Sequence, residues 1–402
     1  MTKLGTSGPT TPPQIAAQMS GELRAISTNR HEAFLPSPSV QNHAAFLSWQ
    51  PDGSLACAWF GGTLEGKSDI CIHLCLLGKD ATTWGKTTRI EGDANRSEQN
   101  PVLFQSPKGG LLLFHTSQPD GNQDQSKVRV RTLDVAPANP GQIIAHPARD
   151  LPLQPGTFIR APIIVRKDGA WLLPLFLCNA RPGYRWNGSF DTAALAISTD
   201  HGQTWSQTDI PGSEGAVHMT IVPLDDGRMV AFYRRRQADF VFRSDSNDDG
   251  RTWSPPAATD IPNNNSSIAA IRLSDGRIAL LCNPVSAAMS RDRRNSLYDE
   301  LDVADSRPDA QDGCKPVWGV PRAPLTLCVS DDGGHTFPKR KIVEDGPGTC
   351  LSNNSLDGEN KELSYPALTE GPDGSLHLAF TYHRRAIKYI RLAPGWLDGD
   401  PQ

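Results

Sequence analysis

The side chains with the clearest potential for chemistry recur at one distance before a short turn. They are Arg160, His218, Ser267 and Tyr365 at eight positions before a turn aspartate, His43 at nine positions, and Asn100 at nine positions before Gly109. Imidazole, phenol and guanidinium groups at one repeated position are typical of a polar pocket rather than of packed strands. Such a set could move protons and hold a charged ligand. The alternative interpretation is a polar, water-filled channel without chemistry.

The turns that set this count are Asp-Gly or Gly-Gly pairs between two apolar runs. They begin at Asp52, Gly109, Asp168, Asp226, Asp275 and Asp373. Asp-Gly between apolar runs is the strongest short signal for a β-hairpin. Six hairpins predict six four-stranded units, at roughly 43–90, 98–150, 157–208, 215–258, 265–343 and 363–391. The sixth unit lacks a fourth strand, and we expect segment 22–27 to supply it and so remove the free edges.

A second repeat supports the same architecture. The pattern S-x-D-x-G-x-T-W/F occurs at 198–205, 246–253 and 330–337. We expect its Asp and Ser side chains to cap the N–H groups of a turn, its Gly to supply a positive φ, and its Thr and aromatic residue to begin the next strand. Turn chemistry alone explains these boxes. Repeated four-stranded units predict an all-β fold, a six-bladed β-propeller.

Composition narrows the classes of function and the domain organisation. The 402 residues carry a net charge of −4 with a pI of about 6.2, which does not favour binding to nucleic acid or to an anionic membrane. We predict a disordered tail over 1–18 and one propeller over 19–402, with 286–318 as an insertion in blade five. No apolar run approaches the ~20 residues of a membrane span. The polar N-terminal segment does not resemble a secretory signal, which predicts a cytoplasmic location.

The eight cysteines show no metal-ligand spacing, so we expect reduced thiols and no metal site. No nucleotide, flavin, pyridoxal phosphate or haem motif is present, and no cofactor is expected. The oligomeric state is not indicated by any pattern in the sequence.

The boxes and the blade pattern resemble the sialidase (neuraminidase) superfamily of Asp-box propellers, over nearly the whole chain after residue 40. The resemblance implies a site on the propeller axis. In that family a tyrosine of the last blade is the nucleophile, and Tyr365, in Ser-Tyr-Pro-Ala-Leu, matches its position. A glutamate of blade four activates that tyrosine, and His218 stands at the corresponding position here. Glu65 and Asp69 fall in the loop that carries the family's aspartic acid catalyst.

The same resemblance implies binding of a substrate carboxylate by three arginines. Arg234 and Arg322 match two of them, whereas His43 stands where the family has the first. The predicted substrate-binding residues are His43, Asn100, Arg160, Arg234, Asn265 and Arg322. Two arginines and the tyrosine are therefore retained, while one arginine and the glutamate are replaced by histidines.

Three functions remain open on these residues. In an exo-acting glycoside hydrolase, Tyr365 attacks, His218 removes its proton, and Glu65 or Asp69 protonates the leaving group. In a lyase acting on uronate-containing glycans, His43 or His218 abstracts the proton next to the carboxylate and Tyr365 protonates the leaving oxygen. A glycan-binding propeller without catalysis is the third, but it has no need of a tyrosine facing a base. The loss of one arginine and the glutamate argues against true sialic acid as the substrate and is compatible with an acidic or otherwise unusual terminal sugar.

Overall fold

Alternating apolar strands and tight turns assemble into antiparallel sheets, as the hairpin pattern predicts. The computed structural model describes residues 13–119, 121, 123–135, 143–294, 296–297, 300–301, 306–355 and 358–399. The predicted tail thus lies outside the described residues up to position 12, and Pro13–Ala16 form a single helical turn, α1. Ile15 of this turn packs against a cluster of buried residues from blades five and six.

Six sheets follow one another along the chain, and each sheet packs against the next in cyclic order. The chain begins with two strands, β1 (Arg24–Ser27) and β2 (Arg30–Phe34). Blade one comprises β3 (Gln41–Trp49), β4 (Leu55–Gly62), β5 (Cys71–Leu77) and β6 (Thr88–Ile90). Blade two comprises β7 (Ser97–Gln105), β8 (Leu111–Gln118), β9 (Lys127–Val135), β10 (Ile143–Ala145) and β11 (Arg149–Asp150), with a 3-10 turn at Gln123–Gln125.

The second half of the chain repeats the arrangement. Blade three comprises β12 (Thr157–Ile159), β13 (Ile164–Val165), β14 (Trp171–Leu177), β15 (Thr192–Ser198) and β16 (Ser206–Asp209). Blade four comprises β17 (Ala216–Pro223), β18 (Met229–Arg235), β19 (Phe240–Ser246) and β20 (Ala257–Pro262). Blade five comprises β21 (Ala269–Arg272), β22 (Ile278–Cys282), β23 (Leu325–Ser330) and β24 (Lys339–Glu344). Blade six contains β25 (Leu363–Glu370), β26 (Leu376–Tyr382) and β27 (Ala386–Leu392). The predicted all-β, six-bladed propeller is confirmed.

The start of the chain closes the ring, but not with the segment that was predicted. β2, not segment 22–27, pairs with β27, from Arg30 opposite Leu392 to Phe34 opposite Lys388. β1 then adds outside β2 as a fifth strand. The sequence analysis placed the closing strand at β1 instead of β2. Both strands are short and polar, with β1 exposed and β2 half-buried, so their sequences do not show which of them pairs with β27.

The Asp-boxes cap turns, as predicted. In the box of blade four, Asp248 accepts hydrogen bonds from the backbone N–H groups of Arg251 and Thr252 and from the hydroxyls of Ser246 and Thr252. Gly250 has a φ of 81°. The boxes of blades three and five repeat these bonds through Asp200 and Asp332. The 286–318 segment connects β22 to β23, within blade five.

Candidate active site

A kink in the innermost strands turns polar residues toward the propeller axis. Pairing slips by one or more residues between His43 and Phe46, between Gln99 and Val102, between Val217 and Thr220, and between Ser364 and Ala367. Each irregularity contains a residue with left-handed backbone, at a φ between 50° and 61°: Ala44, Asn100, His218 and Tyr365. A bulge re-aims one side chain, and side chains other than glycine adopt this conformation only where the surrounding structure imposes it.

The bulges explain why residues at the same distance before a turn reach the pocket in some blades and not in others. Asn100, His218 and Tyr365 lie at the bulge and line one pocket. In blade one the bulged residue is Ala44, and His43 precedes it. In blade five the left-handed residue is Asn265, just before β21, so Ser267 is not the equivalent position.

Tyr365 lies at the centre of the group and is almost completely buried. Its hydroxyl accepts a hydrogen bond of 2.7 Å from Nη1 of Arg234. The ring centroid of His43 lies 4.2 Å from that of Tyr365, and the ring centroid of His218 lies 5.7 Å away, edge-on. The phenol oxygen therefore faces a positive charge while two imidazoles flank its ring.

Asn265 of blade five holds the Arg234 side chain in place. Its Nε donates to Oδ1 of Asn265 at 2.8 Å, and Nδ2 of Asn265 donates to the carbonyl of Val317 in the insertion. Burial lowers the pKa of Arg234 to about 10, against opposing effects that include the nearby Tyr365. Arg234 is thus a positioned donor, and Asn265 acts on the site through it.

Both histidines beside Tyr365 are held in the neutral form. Burial, and then the positive charge of Arg234, lower the pKa of His218 well below its usual value. Burial and Arg384 do the same to the pKa of His43, whose Nδ1 lies 2.8 Å from the hydroxyl of Thr381. His43 contacts Tyr365 but does not line the pocket. A neutral imidazole can accept a proton, whereas an imidazolium cannot.

A buried ionic network that the sequence did not reveal surrounds Glu362. This carboxylate accepts a 2.8 Å bond from Arg322, a 2.6 Å bond from the hydroxyl of Ser364, and pairs with Nε of Arg384 at 3.0 Å. Burial alone would raise the pKa of Glu362, but Arg322, Arg384 and the other contacts outweigh it and hold that pKa well below its usual value. The second carboxylate on Arg384 is Glu65.

Glu65 and Asp69, the two acids predicted from one loop, separate in the structure. Glu65 is buried in the pocket, where its Oε2 accepts from Nδ2 of Asn353 at 2.9 Å and pairs with Arg384. Asp69 is exposed and accepts hydrogen bonds from the backbone N–H and hydroxyl of Thr63, which staples its own loop. The structure therefore brings only Glu65 to Tyr365.

Arg384 is a site residue that the sequence analysis did not identify. It belongs to the run His383-Arg384-Arg385, whose three polar residues are typical of a solvated loop, yet it is 1% exposed. His383 and Arg384 both adopt left-handed backbone in the tight turn between β26 and β27, which turns the second side chain inward. The only feature of the sequence that could have indicated this inward position was the short connection between β26 and β27.

A second ion pair borders the pocket. Asp191 accepts 2.8 Å and 2.5 Å bonds from Nε and Nη2 of Arg236, and a 2.8 Å bond from Nε1 of Trp186. The Arg236 guanidinium lies 5.2 Å from the ring centroid of Trp318, which comes from the insertion. Arg236 also lines the pocket, so its charge contributes to the site.

The pocket is positive and small. Among the described residues, four guanidinium groups line it (Arg234, Arg236, Arg322 and Arg384), and three carboxylates accompany them (Glu65, Asp191 and Glu362). Four positive and three negative charges leave an excess of one positive charge. The cavity itself is about 20 Å³, enough for roughly one water molecule. Leu297 of the insertion lines it, so a sugar can enter only after lining residues move.

Among the residues that the structure describes, no group of three or more His, Cys, Asp or Glu side chains is placed to hold a metal ion. The helices in this part of the chain are all too short or too polar to cross a membrane.

Comparison with known proteins identifies the fold and the family. Residues 53–378, more than half of the chain, match the family described as BNR repeat-like domain. No curated protein sequence matches the chain. Solved structures do: the Hadza microbial sialidase Hz136 is similar with a TM-score of 0.63 and 14% identity, over 88% of this chain and 66% of that one.

Two further structures have the same fold. Trypanosoma rangeli sialidase, in complex with the inhibitor DANA, gives a TM-score of 0.61 and 13% identity over 90% of this chain and 56% of its own. A protein of unknown function from Dyadobacter fermentans DSM 18053 gives 0.63 and 16% identity over 92% of this chain and 99% of its own. The chain thus spans just under two thirds of the first sialidase and little more than half of the second. The match over residues 53–378 shows that the chain belongs to the BNR repeat-like domain family, and the solved structures show that it shares the six-bladed fold of these sialidases.

Proposed function

We propose that the protein hydrolyses the glycosidic bond of a terminal acidic sugar, with Tyr365 as the nucleophile. The observation that carries this proposal is the 2.7 Å hydrogen bond from Arg234 to the Tyr365 hydroxyl at the base of a positively charged pocket. A guanidinium at this distance stabilises the negative charge that develops on the phenol oxygen when the proton leaves. Tyrosine then becomes able to attack a sugar carbon.

The excess positive charge supports an anionic substrate. Arg234 and Arg322 lie on two sides of Tyr365, with their guanidinium carbons each 5.8 Å from its ring centroid. The planar guanidinium group binds a carboxylate through two parallel hydrogen bonds. A sugar carboxylate in the pocket would offset the one unbalanced positive charge. We therefore infer a carbohydrate partner with an acidic terminal residue.

His218 in its neutral form and Glu65 carry out the remaining steps. His218 accepts the Tyr365 proton as the phenol oxygen bonds to the anomeric carbon. The bond from that carbon to the leaving oxygen breaks, and Glu65, which pairs as a carboxylate with Arg384 in the structure, has to take up a proton before this step and donates it to the leaving oxygen. Water, deprotonated by Glu65, then attacks the same carbon, releases the sugar and returns the bond electrons to Tyr365, which recovers its proton from His218.

A lyase is the second candidate, and the neutral state of the two histidines favours it. A base that removes a proton next to a sugar carboxylate must be unprotonated, and His43 and His218 both have a pKa well below the usual value. Arginines that neutralise the carboxylate stabilise the resulting carbanion. The two reactions differ in their products, because elimination leaves an unsaturated sugar that absorbs in the near ultraviolet.

The test is a screen of acidic oligosaccharides and aryl glycosides with the parent protein and with Tyr365→Phe. We expect at least one acidic substrate to be cleaved and the substitution to lower kcat by at least ~100-fold. Tyr382→Phe is the matched control, since Tyr382 is equally buried in blade six and its hydroxyl donates to the Pro347 carbonyl, outside the pocket. A fluorinated substrate analogue should attach covalently to the peptide that contains Tyr365, as read by mass spectrometry.

Each contrary result has a specific meaning. Full activity of Tyr365→Phe on a cleaved substrate rejects the nucleophile. An ultraviolet-absorbing product assigns the lyase instead. Saturable binding of acidic glycans without turnover assigns a glycan-binding propeller.

A cytoplasmic location is part of the proposal, supported by seven buried cysteines and an eighth half-buried one, all unpaired.

A further inference from the structure

Arg160 was predicted to bind substrate, but it lies on the other side of Tyr365. It does not line the pocket that holds Glu65, His218 and Arg234. It lines a separate axial cavity of about 40 Å³, together with Thr220 and Ile268. Its guanidinium carbon lies 5.6 Å from the ring centroid of Tyr365. Arg160 therefore reaches the Tyr365 ring from outside the pocket.

One nitrogen of Arg160 joins two blades across the axis. Nη2 donates to the carbonyl oxygens of Ala45 in blade one at 2.8 Å, and of Tyr365 and Pro366 in blade six at 3.0 Å and 3.2 Å. Two of these three acceptors belong to the bulge that carries Tyr365, whose φ is 51°. A left-handed backbone at a bulky residue costs free energy and persists only where neighbouring groups fix it.

Burial of the charged Arg160 guanidinium costs free energy, which argues that the residue has a specific structural or functional role. It is 5% exposed, and within the described part of the chain no carboxylate is close enough to perturb it. Its Nε has no hydrogen-bond partner among the described residues. A buried charge without a counter-ion destabilises a fold. Burial lowers the pKa of Arg160, and Tyr365 and then Cys57 oppose this effect.

We propose that Arg160 is a positioning residue: it holds the Tyr365 bulge in its left-handed conformation and places a positive charge under the phenol ring. The proposal rests on the proposed role of Tyr365 in catalysis for its effect on rate, but not for its effect on structure. Arg234 then acts on the phenol oxygen from the pocket side, and Arg160 acts on the backbone and the ring from the opposite side.

The test uses protein labelled with 3-fluorotyrosine, whose six tyrosines are followed by fluorine NMR. Tyr365→Phe identifies the Tyr365 signal. We expect Arg160→Met, which keeps the length but loses charge and donors, to shift or broaden this signal and leave the others unchanged. Arg160→Lys keeps the charge and should shift it less. The matched control is Arg166→Met, in the same blade but at the turn, where Arg166 pairs with Asp168.

Activity supplies the second readout. Because Arg160 does not touch the pocket, we expect Arg160→Met to lower kcat about 10- to 100-fold and to change KM by less than about twofold. Arg160→Lys should recover part of kcat. A stabilising role alone would lower the melting temperature without moving the Tyr365 signal in the folded protein.

The NMR result decides the inference even if no substrate is found. An unchanged Tyr365 signal in folded Arg160→Met overturns it. If Arg160→Met does not fold, Arg160→Lys decides: a displaced signal supports the inference and an unchanged one overturns it. Loss of activity in Tyr365→Phe with a parent-like Tyr365 signal in Arg160→Met would uphold the proposed function and reject the role of Arg160.

Discussion

At the scale of single residues, Glu362 is the anion on which the site's geometry depends. It is 1% exposed and lies between Arg322 and Arg384, two cations that otherwise repel each other. Removing one partner from a buried ion pair leaves an uncompensated charge, which costs more than the pair itself contributes. Glu362 also fixes Arg322, a proposed carboxylate-binding residue.

We expect Glu362→Gln to lower the free energy of unfolding by about 3–5 kcal/mol, as measured by urea denaturation. The control Glu370→Gln removes an acid from the exposed surface, where it accepts hydrogen bonds from Ser274. It should change stability by less than about 1 kcal/mol. Equal effects of the two substitutions would contradict the structural role of Glu362.

The residues of the site differ in how far sequence could reveal them. Tyr365, His218 and Asn100 were found by counting because the bulge falls eight or nine positions before a turn, a local distance. The ion pair of Glu65 with Arg384 joins positions 319 residues apart, and no local pattern encodes such a contact. Sequence therefore revealed the side chains that the strands present, but not the charges that balance them.

At the scale of secondary-structure elements, the Asp-boxes stabilise turns far from the axis. Asp248 accepts from two backbone N–H groups and two hydroxyls of its own turn. Burial raises the pKa of Asp248, but the hydrogen bonds together lower it by more and hold it below the usual value. The box was predictable because all its partners lie within four residues.

We expect Asp248→Ala to lower the free energy of unfolding by about 1 kcal/mol, since the turn is exposed and water replaces part of the lost bonding. Turnover of any cleaved substrate should stay at the parent level, because the box lies at a hairpin tip. Thermal denaturation and initial rates, measured side by side, check both statements. A selective loss of activity would place the boxes in the functional site.

At the scale of the whole molecule, burial of histidines makes the fold sensitive to acid. Burial is the largest cause of a lowered pKa in each case: it brings the pKa of His73, His377 and His383 to about 4, and those of His43 and His218 well below the usual value. In the unfolded chain these groups titrate near 6.5. The unfolded state therefore binds more protons than the native state below about pH 6.5, and stability falls as the pH falls.

We expect the free energy of unfolding to be nearly flat between about pH 7 and pH 8 and to drop by several kcal/mol between pH 7 and pH 5. Urea denaturation at four pH values measures the slope. His377→Gln should reduce the slope, whereas His201→Gln, at an exposed box position, should not. Stability that does not change from pH 7 to pH 5 would contradict the assignment of buried neutral histidines.

The whole-molecule architecture was the most predictable level. Each hairpin is encoded by its own turn and two apolar runs, so six local signals add up to six blades. The closing strand was predicted to be β1, whereas β2 pairs with β27. That pairing joins the strand before blade one to the last strand of blade six, and no local sequence pattern indicates it.

That pairing also sets the order in which the molecule can be completed. β2 precedes blade one in the chain and β27 follows every other strand of the ring, so the sixth sheet is completed only after β27 has been translated, while the five preceding sheets can form earlier. Until then the ring has a gap beside blade one, and a circularly permuted gene that opens between two other blades would move this gap without altering the finished fold.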